Sequence, residues 1–194
     1  MALTAPPSSL AQLKEAGLVR HIGVTGLPFK ALRHVLDRVP PGSVETVLSY
    51  CHYCLNDTTL VNHIPYFQAK GLGVINASPF SMGLLTDAGP PAWHPAPPAL
   101  KAAAARAAAL SRERGVDLPR LALTFAVRNE SIATTLVGMS EPEEVRANVR
   151  ATLGALGLGE GLSPELETEL SSKVLGELAD VRDVTWPSGR PENN

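Results

Sequence analysis

Four times along this chain a β-branched run is followed by an apolar pattern of helical spacing. That alternation restricts the fold more than any other feature. The runs are residues 19–25, 44–50, 72–77 and 132–137, each closed by Gly, Cys or Ser, and they are predicted as strands. After the first, Leu32, Val35, Leu36 and Val39 recur at helical spacing before Pro40-Pro41-Gly42. After the second, Leu60, Ile64 and Phe67 do the same before Gly71. The third is followed by an Ala-rich helix over 100–114 and by a helix opening at Pro119, with Leu121, Ala122 and Phe125 on one face. The fourth is followed by Val145, Val149, Leu153 and Leu156. Strand then helix, repeated, calls for right-handed crossovers and a parallel sheet.

The remaining segments are punctuation and ends. A short helix from Leu10 stops at Gly17, and the Pro/Gly-rich stretch 87–98, with Trp93 and His94 inside it, reads as a surface loop. Gly157-Leu158-Gly159-Glu160-Gly161 follows a helix rather than a strand, so it is a linker and not a dinucleotide fingerprint. A last helix aligns Leu162, Leu166, Leu170, Val174 and Leu178, and the tail from Trp186 is irregular. The expected organisation is a sheet-bearing domain over 1–156, then a linker, helix and tail over 157–194.

Composition narrows the function classes. Hydrophobic residues are 44% and charged residues 19% of 194, which is globular. A net charge of −2 argues against nucleic acid or an anionic membrane as partner. Met1 to Pro7 has no basic start or apolar core of a secretory signal. No apolar run reaches the roughly 18 residues of a membrane helix. Two cysteines cannot staple a secreted scaffold. Cys51 and Cys54 lack the second pair that a zinc site needs. A soluble, cytoplasmic protein is expected.

Four βα units fit a small doubly wound sheet or half of an eight-stranded barrel of roughly 250 residues. Spacing leaves both open; the strand ends do not. Val19-Arg20-His21-Ile22-Gly23-Val24-Thr25-Gly26, Leu48-Ser49-Tyr50-Cys51-His52-Tyr53-Cys54, Ala77-Ser78-Pro79-Phe80-Ser81-Met82-Gly83-Leu84-Leu85-Thr86 and Val137-Gly138-Met139-Ser140 occur in that order. They resemble the ends of strands five to eight of the aldo/keto reductase family, in its branch that oxidises L-galactose. The Trp186-Pro187-Ser188-Gly189 ending is similar to that branch too. The resemblance implies the C-terminal half of a (β/α)₈ barrel, plus a C-terminal helix. The implied parent reaction is NAD-dependent oxidation of L-galactose at C1 to the 1,4-lactone, on the route to ascorbate. The family's catalytic Asp, Tyr, Lys and His lie on the first four units. The chain is therefore expected to be a truncated product or fragment that holds no catalytic residue and is inactive alone. The alternatives are a non-catalytic module that binds nucleotide, self-associates or pairs with a complementary half, and a truncated gene product with no independent function.

The resemblance also implies cofactor contacts at strand ends, each with a plainer structural reading beside it. Thr25 and Gly26 stand where relatives hold the nicotinamide carboxamide, and they equally suit a strand-ending turn. Tyr50, or Ser49 with a one-residue slip, stands near the nicotinamide; Tyr50 would otherwise be barrel packing. Ala77 stands where relatives stack an aromatic ring. Ser78, Phe80, Ser81, Met82, Gly83 and Leu84 stand at the pyrophosphate loop, where glycine and backbone N–H groups can meet an anion, or form an ordinary turn. Gly138, Met139, Ser140, Glu144 and Asn148 stand at the adenosine ribose. Met139 in place of a cation, with Glu141, Glu143 and Glu144 nearby, favours NAD over NADP. The three carboxylates also suit a helix first turn.

Overall fold

The computed structural model describes residues 9–187. The elements run α1 (Ser9–Glu15), β1 (Gly23–Thr25), α2 (Phe29–Leu36), β2 (Thr46–Tyr50), α3 (Ile64–Ala69), β3 (Gly73–Ala77), α4 (Pro98–Glu113), α5 (Leu118–Val127), β4 (Thr134–Leu136), α6 (Pro142–Ala155) and α7 (Pro164–Glu177). The four strands form one parallel sheet in chain order, with β1 and β4 at its edges. Right-handed crossovers between strands laid down in order put the helices on one face. No described helix is long and apolar enough to cross a membrane.

Strands are shorter than the β-branched runs. Before Gly23 one backbone bond remains, from Glu45 N–H to Ile22 O at 2.8 Å, and the Glu45 carboxylate gathers the rest. Glu45 takes Lys14 Nζ at 2.7 Å, the His21 ring at 2.9 Å and the Ile22 N–H at 3.3 Å. Gly23 gives Thr46 its room: a Cβ would stand 2.3 Å from Thr46 Oγ1, which would have to turn away.

Register assigns the faces. Val24, Val47 and Val74 lie in one row across the sheet. That row packs under α2 and α3 in a cluster with Leu32, Leu36, Ile64, Phe67 and Ile132. The next row, Thr25, Leu48, Ile75 and Thr134, faces the other way. Thr46, Leu48, Ile75 and Leu136 belong to none of the three buried clusters, and Leu136 is 48% exposed. Alternation along the four runs predicts Ile22, Val24, Val47, Val74, Ile75 and Leu136 on the inner face of a barrel. The structure corrects this: Val24, Val47 and Val74 turn toward the helices, and only Ile75 and Leu136 of that set point to the bare side. Parallel strands are apolar on both faces, so period 2 carries little information about which side is which.

The second cluster lies behind the sheet, between helices. Ala103, Ala107 and Ala108 of α4 meet Leu118, Leu121 and Ala122 of α5 and Leu170, Val174 and Leu178 in and just beyond α7. Alanine on α4 brings the helix backbones close, which is the use of the Ala-rich pattern. The stretch 157–161 doubles back on α6: a Cβ at Gly154 would stand 2.6 Å from the Glu160 carbonyl. Residues 188–194, part of the tail seen in the sequence, lie outside the described residues.

Candidate functional site

The ladder continues one step past the strands. Cys51 N–H donates to Ala77 O at 3.0 Å, and Ser78 N–H donates to Leu136 O at 3.1 Å. The turn after β2, the loop after β3 and the end of β4 therefore form one rim at the C-terminal end of the sheet. In α/β sheets this is the end where ligands bind.

Tyr50 pairs with Ala77 on the bare face, while Ser49 is fully buried on the helix side with its Oγ unpartnered. Of the two residues that counting allowed, Tyr50 is the one at the rim. Its hydroxyl donates to Met82 Sδ, and burial, reinforced by the Cys51 thiol, pushes its pKa well above the usual phenol range. Tyr50 and Met82 thereby join the β2 end to the loop of residues 78–84.

That loop carries unusual backbone. Ser78, Ser81 and Met82 have φ of 60°, 51° and 55°, and Gly83 has φ of 90°. Each non-glycine residue so placed costs about 1–3 kcal/mol and persists only where surroundings enforce it. The enforcing bonds are local: Ser81 N–H to Ser78 O at 2.9 Å, Leu85 N–H to Phe80 O at 3.0 Å, and Thr86 Oγ1 to Gly83 O at 2.8 Å. Pro91 closes over Gly83, with its Cδ 3.4 Å from where a Cβ would be. Leu84 is buried with Cys51, Leu100, Ala104 and Trp186.

His94 corrects the sequence reading. The Pro/Gly-rich composition of 87–98 predicts a surface loop with His94 on it. His94 is 2% exposed, while Trp93 is 71% exposed. Its Nε2 lies 2.9 Å from Ser81 O and its Nδ1 accepts the Ala96 N–H at 3.1 Å. The Trp186 ring stands edge-on at 4.9 Å. The contacts to Ser81 and Trp186 join residues distant along the chain and have no local sequence signal.

At the β1 end, Thr25 is exposed and Gly26 lies against α2, where a Cβ would come 3.2 Å from Leu32 Cδ2. Packing explains that glycine. At the β4 end, Gly138, Met139 and Ser140 are exposed and Asn148 is partly buried. Glu144 turns back on its own helix end. It accepts from Ser140 N–H at 2.7 Å and Glu141 N–H at 3.2 Å in a capping box. These two N–H bonds hold its carboxyl below the usual range. Glu143 pairs with Arg146 at 2.9 Å. Of the three carboxylates, Glu144 is thus occupied as a cap.

Beneath the rim, Asp57 accepts from His52 Nδ1 at 3.0 Å, Thr59 N–H at 2.9 Å and Thr59 Oγ1 at 2.6 Å. Cys51 and Cys54 are free and buried, and burial pushes the Cys51 thiol up to about 11. Among the described residues no three His, Cys, Asp or Glu side chains gather as a metal site.

An in-order parallel βα sheet with its polar loops at the C-terminal rim defines an α/β protein. The aldo/keto reductase pattern matches residues 6–156, and the chain belongs to the aldo/keto reductase family. It is 46% identical over 185 residues to L-galactose dehydrogenase of Arabidopsis thaliana, covering 95% of this chain and 56% of the relative. It is 30% identical over 145 residues to D-arabinose 1-dehydrogenase of Saccharomyces cerevisiae, covering 71% of this chain and 43% of that protein. Among solved structures, the holo form of an aldo-keto reductase from Bacillus halodurans superposes with a TM-score of 0.58 at 21% identity, over 92% of this chain and 56% of that one. The last likeness shows the fold. The chain spans about half the length of the relatives it matches.

Proposed function

We propose that this chain is the dinucleotide-binding half of an NAD-dependent sugar dehydrogenase of the L-galactose-oxidising kind, formed by strands five to eight of a (β/α)₈ barrel. One observation carries the reading: a parallel sheet with helices on one face, open edges at β1 and β4, and an uncovered face bearing Leu48, Ile75 and Leu136. A parallel sheet ordinarily has both faces covered. Closing a barrel would cover this one and remove both edges.

In the closed barrel the bound dinucleotide would supply the hydride acceptor. Thr25 and Tyr50 would stand beside the nicotinamide. The 78–84 loop would wrap the pyrophosphate, with the Met82 N–H as the donor that its internal bonds leave free. Gly138, Met139, Ser140 and Asn148 would line the adenosine ribose. Met139 offers no cation to a 2′-phosphate, and Glu141 and Glu143 repel one, so NAD is favoured over NADP. The oxidised carbon is C1 of the sugar. Proton transfer belongs to the family's Asp, Tyr, Lys and His, which resemblance puts on the other half. The chain is thus proposed to need a complementary half, or to self-associate through the same edges. Calorimetric titration with each nucleotide tests the cofactor reading. Tighter binding of NAD is expected; tighter binding of NADP would refute the ribose-site reading.

A further inference from the structure

We propose that His94 is a positioning residue. It holds the loop of residues 78–84 in its left-handed form, so that the Met82 N–H is presented outward to an anion. The inference rests on the reading of this loop as the pyrophosphate site. His94 comes from the Pro-rich segment after the loop and belongs to none of the family motifs quoted above.

The tautomer follows from its neighbours. Ala96 N–H donates to Nδ1 at 3.1 Å, so Nδ1 carries no proton. The ring proton is then on Nε2, which donates to Ser81 O at 2.9 Å. Both ring nitrogens are satisfied at 2% exposure, and no rotation of the ring keeps both bonds. The ring is fixed further by Trp186 at 4.9 Å, edge to face, and the His94 carbonyl accepts from Lys101 Nζ at 2.5 Å.

Fixing Ser81 O fixes the next donor. In a trans peptide the C=O and the following N–H point in opposite directions. With Ser81 O drawn inward to His94, the Met82 N–H is turned outward. Among the described residues none accepts from it. Ser81, Met82 and Gly83 are consecutive left-handed residues; the Ser81 and Gly83 N–H groups are bonded to Ser78 O and Phe80 O within the turn, which leaves the Met82 N–H as the donor to an anion. The Ser81 side chain is fully buried, so the loop offers the anion backbone rather than that hydroxyl.

Two substitutions separate the two ring bonds. In His94→Asn the side-chain oxygen replaces Nδ1, and Ser81 O keeps only the Leu84 N–H at 3.2 Å. In His94→Gln the side-chain amide replaces Nε2 and can still donate. Hydrogen exchange of the Gly83, Leu84 and Leu85 amides, and NAD affinity by titration, are measured on the full chain beside its melting temperature. Losing a buried partner is worth roughly tenfold in an equilibrium. His94→Asn is therefore expected to exchange these amides about tenfold faster and to bind NAD about tenfold more weakly, with His94→Gln restoring most of both. Wild-type exchange in His94→Asn, or equal losses in both variants, would overturn the proposal. If no variant and no wild-type chain binds NAD, the pyrophosphate reading fails, while the exchange comparison still decides whether His94 holds the loop.

Discussion

At Asp57, residue chemistry sets a pH dependence. Burial alone would raise its carboxyl, but the bonds from His52 and Thr59 outweigh it and the pKa is lowered. A carboxyl lowered by folding adds stability that is complete above its unfolded value of about 3.9. The contribution is lost as pH falls from there toward the folded value. Asp57→Asn is expected to cost about 1.5–3 kcal/mol at neutral pH and to flatten the acid limb of the melting curve. Wild type and variant separated by a constant amount from pH 7 to pH 3 would contradict this. The pairing was invisible in the sequence, where Cys51 and Cys54 drew attention for their metal-like spacing while Asp57 drew none. His94 was missed for a similar reason. Proline and glycine around it signal a loop, and only the fold shows that the loop turns inward onto Ser81.

At the scale of elements, the alternation of strand and helix was legible, and each of the four predicted runs contains a strand. Boundaries were not, since Val19 to His21 have strand composition while His21, with Ile22, is held by Glu45. Nor was the facing of Val47 and Val74, whose neighbours Leu48 and Ile75 are equally apolar. The rim residues were assigned from resemblance, and the structure adds that Tyr50 reaches Met82 while Glu144 caps α6. The last helix shows what periodicity can do: Leu170, Val174 and Leu178, aligned in the sequence, are the buried ones. They join α4 and α5 in one cluster. Leu170→Ala should therefore cost about 2–5 kcal/mol and lower the melting of the whole described fold. If α7 melted alone, with the sheet's transition unmoved, the helix would be a separable appendage. The ion pairs around it, Arg106 with Glu177 and Arg114 with Glu169, are exposed or half-buried and add little beyond register.

For the whole molecule the uncovered sheet face is decisive. Beside it, β4 and α6 leave Leu136, Met139, Val145, Val149, Leu153 and Leu156 between 40% and 52% exposed. An apolar groove of about 680 Å³ runs between β4, α5 and α6, lined by Leu123, Ile132, Leu136, Val149 and Leu153 among others. Patches of this kind mark interaction surfaces, and an open parallel edge pairs readily with another strand. The central claim is that the chain supplies cofactor contacts and a complementary half supplies proton transfer. The direct measurement is NADH formation from L-galactose and NAD, by the chain alone and mixed with the four preceding βα units of the Arabidopsis relative. No turnover alone and NADH formation on mixing is the predicted result. Turnover by the chain alone at about 1 per second or more would contradict it.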